Sequence, residues 1–350
     1  MKRIVLWVFL FLLLQTALAA KNRIPHLDIY SIDVEGGQST LFVSPSGESL
    51  LIDTGWPGFN GRDADRIVAA AKAAGVSKLD YVLITHFHRD HVGGITQLAA
   101  KMPIGTLIDH GPNLEDSDVT REDYAAYEKV AANHKRLTLK PGQRVPIKGV
   151  EVLVLTAAGN HLSKPLRGAG QPNSACSAEP KPETDTTENS KSLGTLITYG
   201  KFKVLDLGDL TKDKELELVC PKNLIGTVDL FIISHHGSNQ SNSKALVSAI
   251  RPKAAIMNNG ARKGGSPEAW QIVHDVVGDN LWQLHYSVEG GPKQNSDEGL
   301  IANPDEKEDP GNYIEVEAFD NGGFMITNPR NGQQKGYNMV IDVMTAGKGR

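Results

Sequence analysis

The stretch Thr85-His86-Phe87-His88-Arg89-Asp90-His91-Val92-Gly93-Gly94 constrains this chain more than any other. It follows a short apolar run, Leu79-Asp80-Tyr81-Val82-Leu83-Ile84, that reads as a buried strand. His86 and His88 stand two apart, so in extended backbone at a strand end both side chains leave on the same side. Asp90 and His91 come where the chain turns and can face the same space from another direction. Mixed nitrogen and oxygen ligands of this kind suit zinc, and also manganese or iron. Three of the 11 histidines fall within six positions with an Asp among them, a density that an accidental solvated loop does not explain.

The N-terminus carries a different signal. Lys2 and Arg3 precede the apolar residues 4–14, and Ala17-Leu18-Ala19-Ala20 supplies small residues for cleavage. This is the pattern of a secretory signal over residues 1–20. Its apolar core is short of the about 20 residues a bilayer span needs. The expectation is therefore export to the periplasm or beyond, with no membrane anchor after cleavage. Losing Lys2 and Arg3 takes Lys+Arg from 37 to 35 against 41 acidic residues, a mature net charge near −6 with His neutral. Such a surface does not advertise broad binding to a polyanion, although it leaves room for a local basic groove. The 350 residues, 40% hydrophobic, can bury a large core. We read residues 21–350 as a single domain. Cys176 and Cys220, the only cysteines, could pair in an oxidising compartment or leave a free buried Cys220.

Alternating apolar patterns predict strands over 27–34, 39–44 and 48–53, and helical spacing of Ile67, Val68, Ala71 and Ala74 predicts a helix over 63–74. A helix follows the histidine loop over about 92–101. A strand at 106–112 ends near His110, and 113–136 reads as helical with Thr120-x-x-Asp123 as a capping box. Two short strands lie in 144–156. Residues 159–191 have no period and read as a long loop, which contains His161 and Cys176. Further strands are expected at 192–200, 202–209, 228–234, 251–260 and 281–286, with helices at 215–220, 244–250 and 266–277. A polar excursion spans 290–312, and a hairpin over 313–327 closes the chain.

Four of these stretches resemble one known group of proteins. Leu83-Ile84-Thr85-His86-x-His88-x-Asp90-His91-x-Gly93-Gly94 is similar to the hallmark of metallo-β-lactamase-fold hydrolases. Leu50-Leu51-Ile52-Asp53-Thr54-Gly55 and the Gly208-Asp209 that ends a paired strand fit the same superfamily. The run His235-His236-Gly237-Ser238 resembles its competence-protein (DNA-internalisation) branch. That branch opens with Asp-Val-Gly-Gln-Gly, from which Asp33-Val34-Glu35-Gly36-Gly37-Gln38 departs.

The resemblance implies an α/β fold, the αββα sandwich: two mixed β-sheets packed face to face with helices outside, covering roughly 27–290. Ligand loops would leave one edge of the sheets. His86 and His88 would hold a first divalent ion and Asp90 and His91 a second. Asp209 would bridge, and His235 or His236 would complete the second site, with the choice left open. Asp53 would orient a ligand histidine. His110 and Ser238 would lie behind the ligands or near substrate, although a lone histidine at a strand end, such as His110, is more often structural. Many relatives place a histidine before the Gly-Asp strand, where this chain has Thr187-Glu188-Asn189-Ser190. The first ion would then be short of a ligand, or completed by Asn189 or His161. The ions would be zinc, with manganese as the alternative. Two ions about 3.5–4 Å apart would share a hydroxide and polarise the attacked centre, and Asp90 could later shuttle a proton. The expected activity is an exported binuclear hydrolase acting on a small-molecule or nucleic-acid-like phosphodiester or phosphate ester. The alternatives are a lactone, β-lactam or thioester hydrolase, and a non-catalytic binding protein on the same fold.

Overall fold

Phe42, Leu50 and Ile52 face one way from their strands while Leu41, Val43 and Leu51 face the other. Alternation of this kind, repeated along the chain, sorts the apolar residues into stacked layers. A computed structural model describes residues 24–339; the leader read in residues 1–20 and the last residues of the chain lie outside the described residues. Among the described residues no helix is long and apolar enough to cross a membrane.

The first half of the chain builds β1 (Leu27–Ser31), β2 (Thr40–Val43), β3 (Ser49–Ile52), β4 (Leu79–Leu83), β5 (Ile104–Asp109) and β6 (Lys135–Thr138). The second half builds β7 (Arg144–Val145), β8 (Glu151–Ala157), β9 (Asn160–His161), β10 (Gly194–Tyr199), β11 (Phe202–Asp206), β12 (Leu230–Ile232), β13 (Ala254–Met257), β14 (Leu281–His285) and β15 (Ile301–Asn303). The chain then returns through β16 (Ile314–Ala318), β17 (Phe324–Asn328) and β18 (Gln333–Tyr337). One sheet has the order β18-β17-β16-β1-β2-β3-β4-β5-β6. The other runs β15-β14-β13-β12-β11-β10-β8-β7, with β9 paired to β8. Both sheets are mixed: β3 to β6 are parallel in the first and β11 to β15 in the second.

Leu27, Phe42, Leu83, Val204, Ile256 and Trp282 share the core between the sheets. Helices Arg62–Ala73, Ile95–Lys101 and Asp118–Ala131 cover the outer face of the first sheet through Ile67, Leu98 and Tyr127. Helices Lys212–Val219, Lys244–Ile250 and Pro267–Val277 cover the second through Leu218, Leu246 and Trp270. This is the αββα sandwich. Each sheet contributes a run of parallel strands, and loops leaving the carboxyl ends of such strands are where α/β folds place their chemistry.

Several local readings change. The fold does not stop near residue 290, because β16 pairs along the whole of β1 and carries the first sheet onward. The 290–312 stretch is not wholly exposed: Leu300, Ile301 and Ala302 are buried, and β15 extends the second sheet. Three apolar residues amid polar ones are too short a run to register as a strand. The helix expected over 113–136 is confined to Asp118–Ala131, and its cap is Ser117, whose side chain accepts from the Thr120 N–H. Thr120 is instead inside the first turn. Cys176 and Cys220 form a disulfide, which settles the alternatives left by the sequence.

Candidate metal centre

The His86 loop leaves the end of β4, and the single turn Arg89–Val92 carries Asp90 and His91. From the second sheet, β11 ends in the turn to Asp209 and β12 ends in His235 and His236. Gly208 makes that first turn possible: its φ is +57°, and a Cβ there would lie 2.9 Å from the Thr85 Cβ. His235 and His236 both have φ 55°, the left-handed region that side chains rarely adopt. Such strain costs on the order of 1–3 kcal/mol per residue and gathers at functional sites. Here the surrounding backbone holds it: His235 N–H donates to Gly208 O at 3.0 Å, and Gly265 N–H donates to His236 O at 2.8 Å.

Asp90, His91, Asp209 and His236 are all buried, and one ligand atom from each lies within 4.8 Å of the others. Asp209 Oδ2 is 3.2 Å from His91 Nε2, 3.3 Å from His236 Nε2 and 3.5 Å from His235 Nε2. Asp90 Oδ2 is 3.1 Å from His236 Nε2 and 3.4 Å from His91 Nε2. His86 Nε2 stands 4.0 Å from Asp209 Oδ2 and, although buried, has no hydrogen-bond partner.

Asp53 decides how His91 points. Its Oδ2 lies 2.7 Å from His91 Nδ1, so that nitrogen keeps its proton and Nε2 is the atom that faces the cluster, the one to be deprotonated when a cation binds. Asp53 is itself fixed by the Thr85 N–H on Oδ1 and the Thr85 hydroxyl on Oδ2. Burial disfavours the charge on Asp209, but His236, His91 and His235 outweigh it and hold the carboxyl well below the usual range. Burial likewise opposes ionisation of Asp90, and His91, His236 and Lys263 overcome it. His91 is raised well above an ordinary imidazole: burial works against its charge, and Asp209, Asp90 and Asp53 prevail. His86 goes the other way, kept neutral by burial and by the neighbouring His91 and His88. Ionised carboxylates, the imidazoles of His91 and His236, and the neutral His86 ring with its unpartnered Nε2 pack around one point. This donor set fits a divalent cation. Asp206 stays out of it, with Gln38 Nε2 and the Gly208 N–H on its oxygens, and burial pushes its carboxyl up to about 7.

Other candidates fall elsewhere. His88 stacks edge-on to His86 at 4.7 Å, but its Nε2 meets Glu115 Oε2 at 2.9 Å, outside the four-residue cluster. His110 is buried against Phe87 with Nε2 3.0 Å from Glu188 Oε2, so it ties two loops together. His161 pairs with Glu217 at 3.1 Å and does not join the cluster. Asn189 is buried with an unpartnered Oδ1. Ser238 Oγ accepts the Gln240 N–H and shapes the turn after His236. Sequence reasoning missed Lys263, which is ion-paired to Asp90 and lies 4.7 Å from the centroid of the Trp56 ring. The available signal was position, since its loop follows β13, the strand beside the one that delivers His236.

Fold and cluster together define the class. Residues 32–167 match the metallo-β-lactamase superfamily, and the chain carries that superfamily's fold. Its curated relatives include competence proteins, as the His-His-Gly-Ser resemblance implied. It is 24% identical over 267 residues to Recombination protein 2 of Haemophilus influenzae, covering 76% of this chain and 28% of that protein. It is 26% identical to Competence protein ComA of Neisseria gonorrhoeae, covering 65% of this chain and 26% of that one. The chain thus spans little more than a quarter of the length of these relatives. A hydroxyacylglutathione hydrolase of Acidiphilium cryptum is 29% identical over 156 residues, 44% of this chain and 51% of its own.

Proposed function

We propose that this protein is an exported, metal-dependent hydrolase of phosphodiesters or phosphate esters. The observation that carries the reading is the buried cluster of Asp90, His91, Asp209 and His236, with the idle Nε2 of His86 beside it. His86, Asp90, His91, Asp209, His235 and His236 are the residues that would hold two divalent ions, zinc or manganese. His88 would join them by leaving Glu115. Ions held there supply a Lewis acid and a water nucleophile active at neutral pH. The protein's own part is to keep the His91 proton on Nδ1 through Asp53, to keep His86 neutral, and to hold Asp90 and Asp209 ionised for the ions. Likeness to the competence proteins favours a phosphoester over a carbonyl substrate. The match to a hydroxyacylglutathione hydrolase supports a second reading, a thioester hydrolase on the same cluster. The Cys176–Cys220 disulfide fits an oxidising compartment, in keeping with the leader read in residues 1–20.

The test is metal content of the purified mature chain, with bis-p-nitrophenyl phosphate hydrolysis assayed before and after chelation. We expect two divalent ions per chain and turnover that chelation removes and zinc or manganese restores. Turnover of a glutathione thioester alone would move the assignment to the second reading. Absence of bound metal and of any turnover would leave a binding protein on this fold.

A further inference from the structure

Among the described residues, Lys263 is the one lysine or arginine ion-paired to a carboxylate of the cluster. Its neighbours in sequence and space are engaged elsewhere: Arg262 pairs with Glu306, and Arg89 with Asp123 and Glu122. The Lys263 ammonium reaches in from the solvent side, its side chain 38% exposed against 10% for Asp90. The Trp56 ring beneath it, 4.7 Å from centroid to nitrogen, is a platform that favours a cation.

The backbone locks this lysine to the metal cluster. Gly260 N–H donates to Lys263 O at 2.9 Å, closing a tight turn. Gly265 N–H donates to His236 O, and Ser266 N–H to Gly237 O at 2.9 Å. Gly264, at φ +74°, passes so close that a Cβ there would lie 2.1 Å from His236 O. Lys263 and His236 are therefore set in one rigid arrangement, each fixing where the other begins.

Once Asp90 gives its carboxylate to a divalent ion, Lys263 presents a positive charge at the mouth of the cluster with its former partner otherwise engaged. We propose that Lys263 anchors the anionic phosphate oxygen of the substrate, and so selects anionic esters over uncharged ones. This rests on the phosphoester reading above. The lysine acts by binding and orienting the phosphate; it neither attacks nor moves a proton.

The experiment compares the metal-loaded mature chain with its Lys263→Ala and Lys263→Arg variants. Metal per chain is measured together with kcat and KM for bis-p-nitrophenyl phosphate and competitive inhibition by inorganic phosphate. We expect Lys263→Ala to raise KM and the phosphate inhibition constant by roughly 10- to 100-fold, as loss of a charge-assisted contact does. Metal content should be unchanged, kcat should move less, and Lys263→Arg should recover most of the loss. Values in Lys263→Ala within about twofold of the parent would overturn the assignment and leave the lysine as a partner of Asp90 alone. So would metal loss that accounts for the change in KM. A parent protein that neither turns over the diester nor is inhibited by phosphate brings down the phosphoester reading itself. An active parent with an indifferent Lys263→Ala variant brings down only the role of the lysine.

Discussion

Asp53 shows what one buried carboxylate can decide. It takes the Thr85 N–H at 2.8 Å, the Thr85 hydroxyl at 2.7 Å and His91 Nδ1 at 2.7 Å. Two substitutions separate its structural duty from its orienting one. Asp53→Ala leaves the Thr85 N–H without an acceptor, at a cost of roughly 1–3 kcal/mol, and frees the His91 ring. Asp53→Asn keeps an oxygen for Thr85, but its amide would donate to His91 Nδ1 and drive the ring proton onto Nε2, the atom facing the cluster. We therefore expect metal affinity to fall by roughly 10- to 100-fold in both variants, with the asparagine the milder in stability. Chelator competition and thermal unfolding, run side by side, check this; an asparagine variant with unaltered affinity would mean that Asp53 does not set the tautomer. The role of Asp53 was legible because Leu-Leu-Ile-Asp-Thr-Gly is a local pattern. The partners of His88 and His110 were not, since Glu115 and Glu188 reach them from 27 and 78 residues away. Lys263 was hidden for a different reason: Arg262-Lys263 between glycines reads as an ordinary solvated loop.

At the scale of elements, the 159–191 loop is where sequence pattern and structure part most. Its composition carries no period, yet it is pinned along its length. Leu166 N–H donates to Leu224 O, Asn173 Nδ2 to Val219 O and Ala245 O, and Glu179 accepts the Ala245 N–H. Its end is built into the histidine loop, because Glu188 accepts from the Phe87 N–H, the Leu114 N–H and His110. Scattered polar anchors and one covalent link leave no signature of spacing, which is why only the possibility of the disulfide could be stated in advance. The Cys176–Cys220 bond closes 44 residues of chain. In the chain-entropy account such closure stabilises by about 4 kcal/mol, with measured effects commonly between about 2 and 4. The paired Cys176→Ser, Cys220→Ser variant should lose stability in that range by denaturant titration. Its metal content should hold, because the Glu188 anchors do not pass through the disulfide. A variant that keeps its stability but loses metal would show that the bond shapes the site instead of the loop.

For the whole molecule, the decisive fact is that the cluster draws its side chains from both sheets: Asp90 and His91 from the first, Asp209 and His236 from the second. The site exists only where the sheets dock, so whatever secures the docking secures the site. The last strands do this from far away in sequence. β16 pairs with the whole of β1, and Ile314, Val316, Ala318, Phe324 and Ile326 are buried in the core between the sheets. Sequence showed a closing hairpin but not its destination, since an alternating pattern tells which residues face inward and not which edge they join. A chain ending at residue 312 would expose those apolar residues and leave β1 as a bare edge. Each large one is worth about 1.5–3 kcal/mol when buried, and a domain's net stability is only about 5–15 kcal/mol. That fragment should be insoluble or unfolded and should bind no metal, although every candidate ligand is still present in it. Among the described residues, a chain ending at residue 332 removes β18, most of whose residues reach solvent, with Asn338 and Met339; it loses chiefly the stacking of Tyr337 on Phe324, the hydroxyl contact with Trp282 and the Asn338 hydrogen bonds to Asp229 and Gly322. It should fold and bind metal, with stability lower by about 1–2 kcal/mol. Circular dichroism and metal analysis of the two truncations decide the point. Metal bound at full stoichiometry by the shorter chain would mean that the ligand loops assemble without the docked sheets.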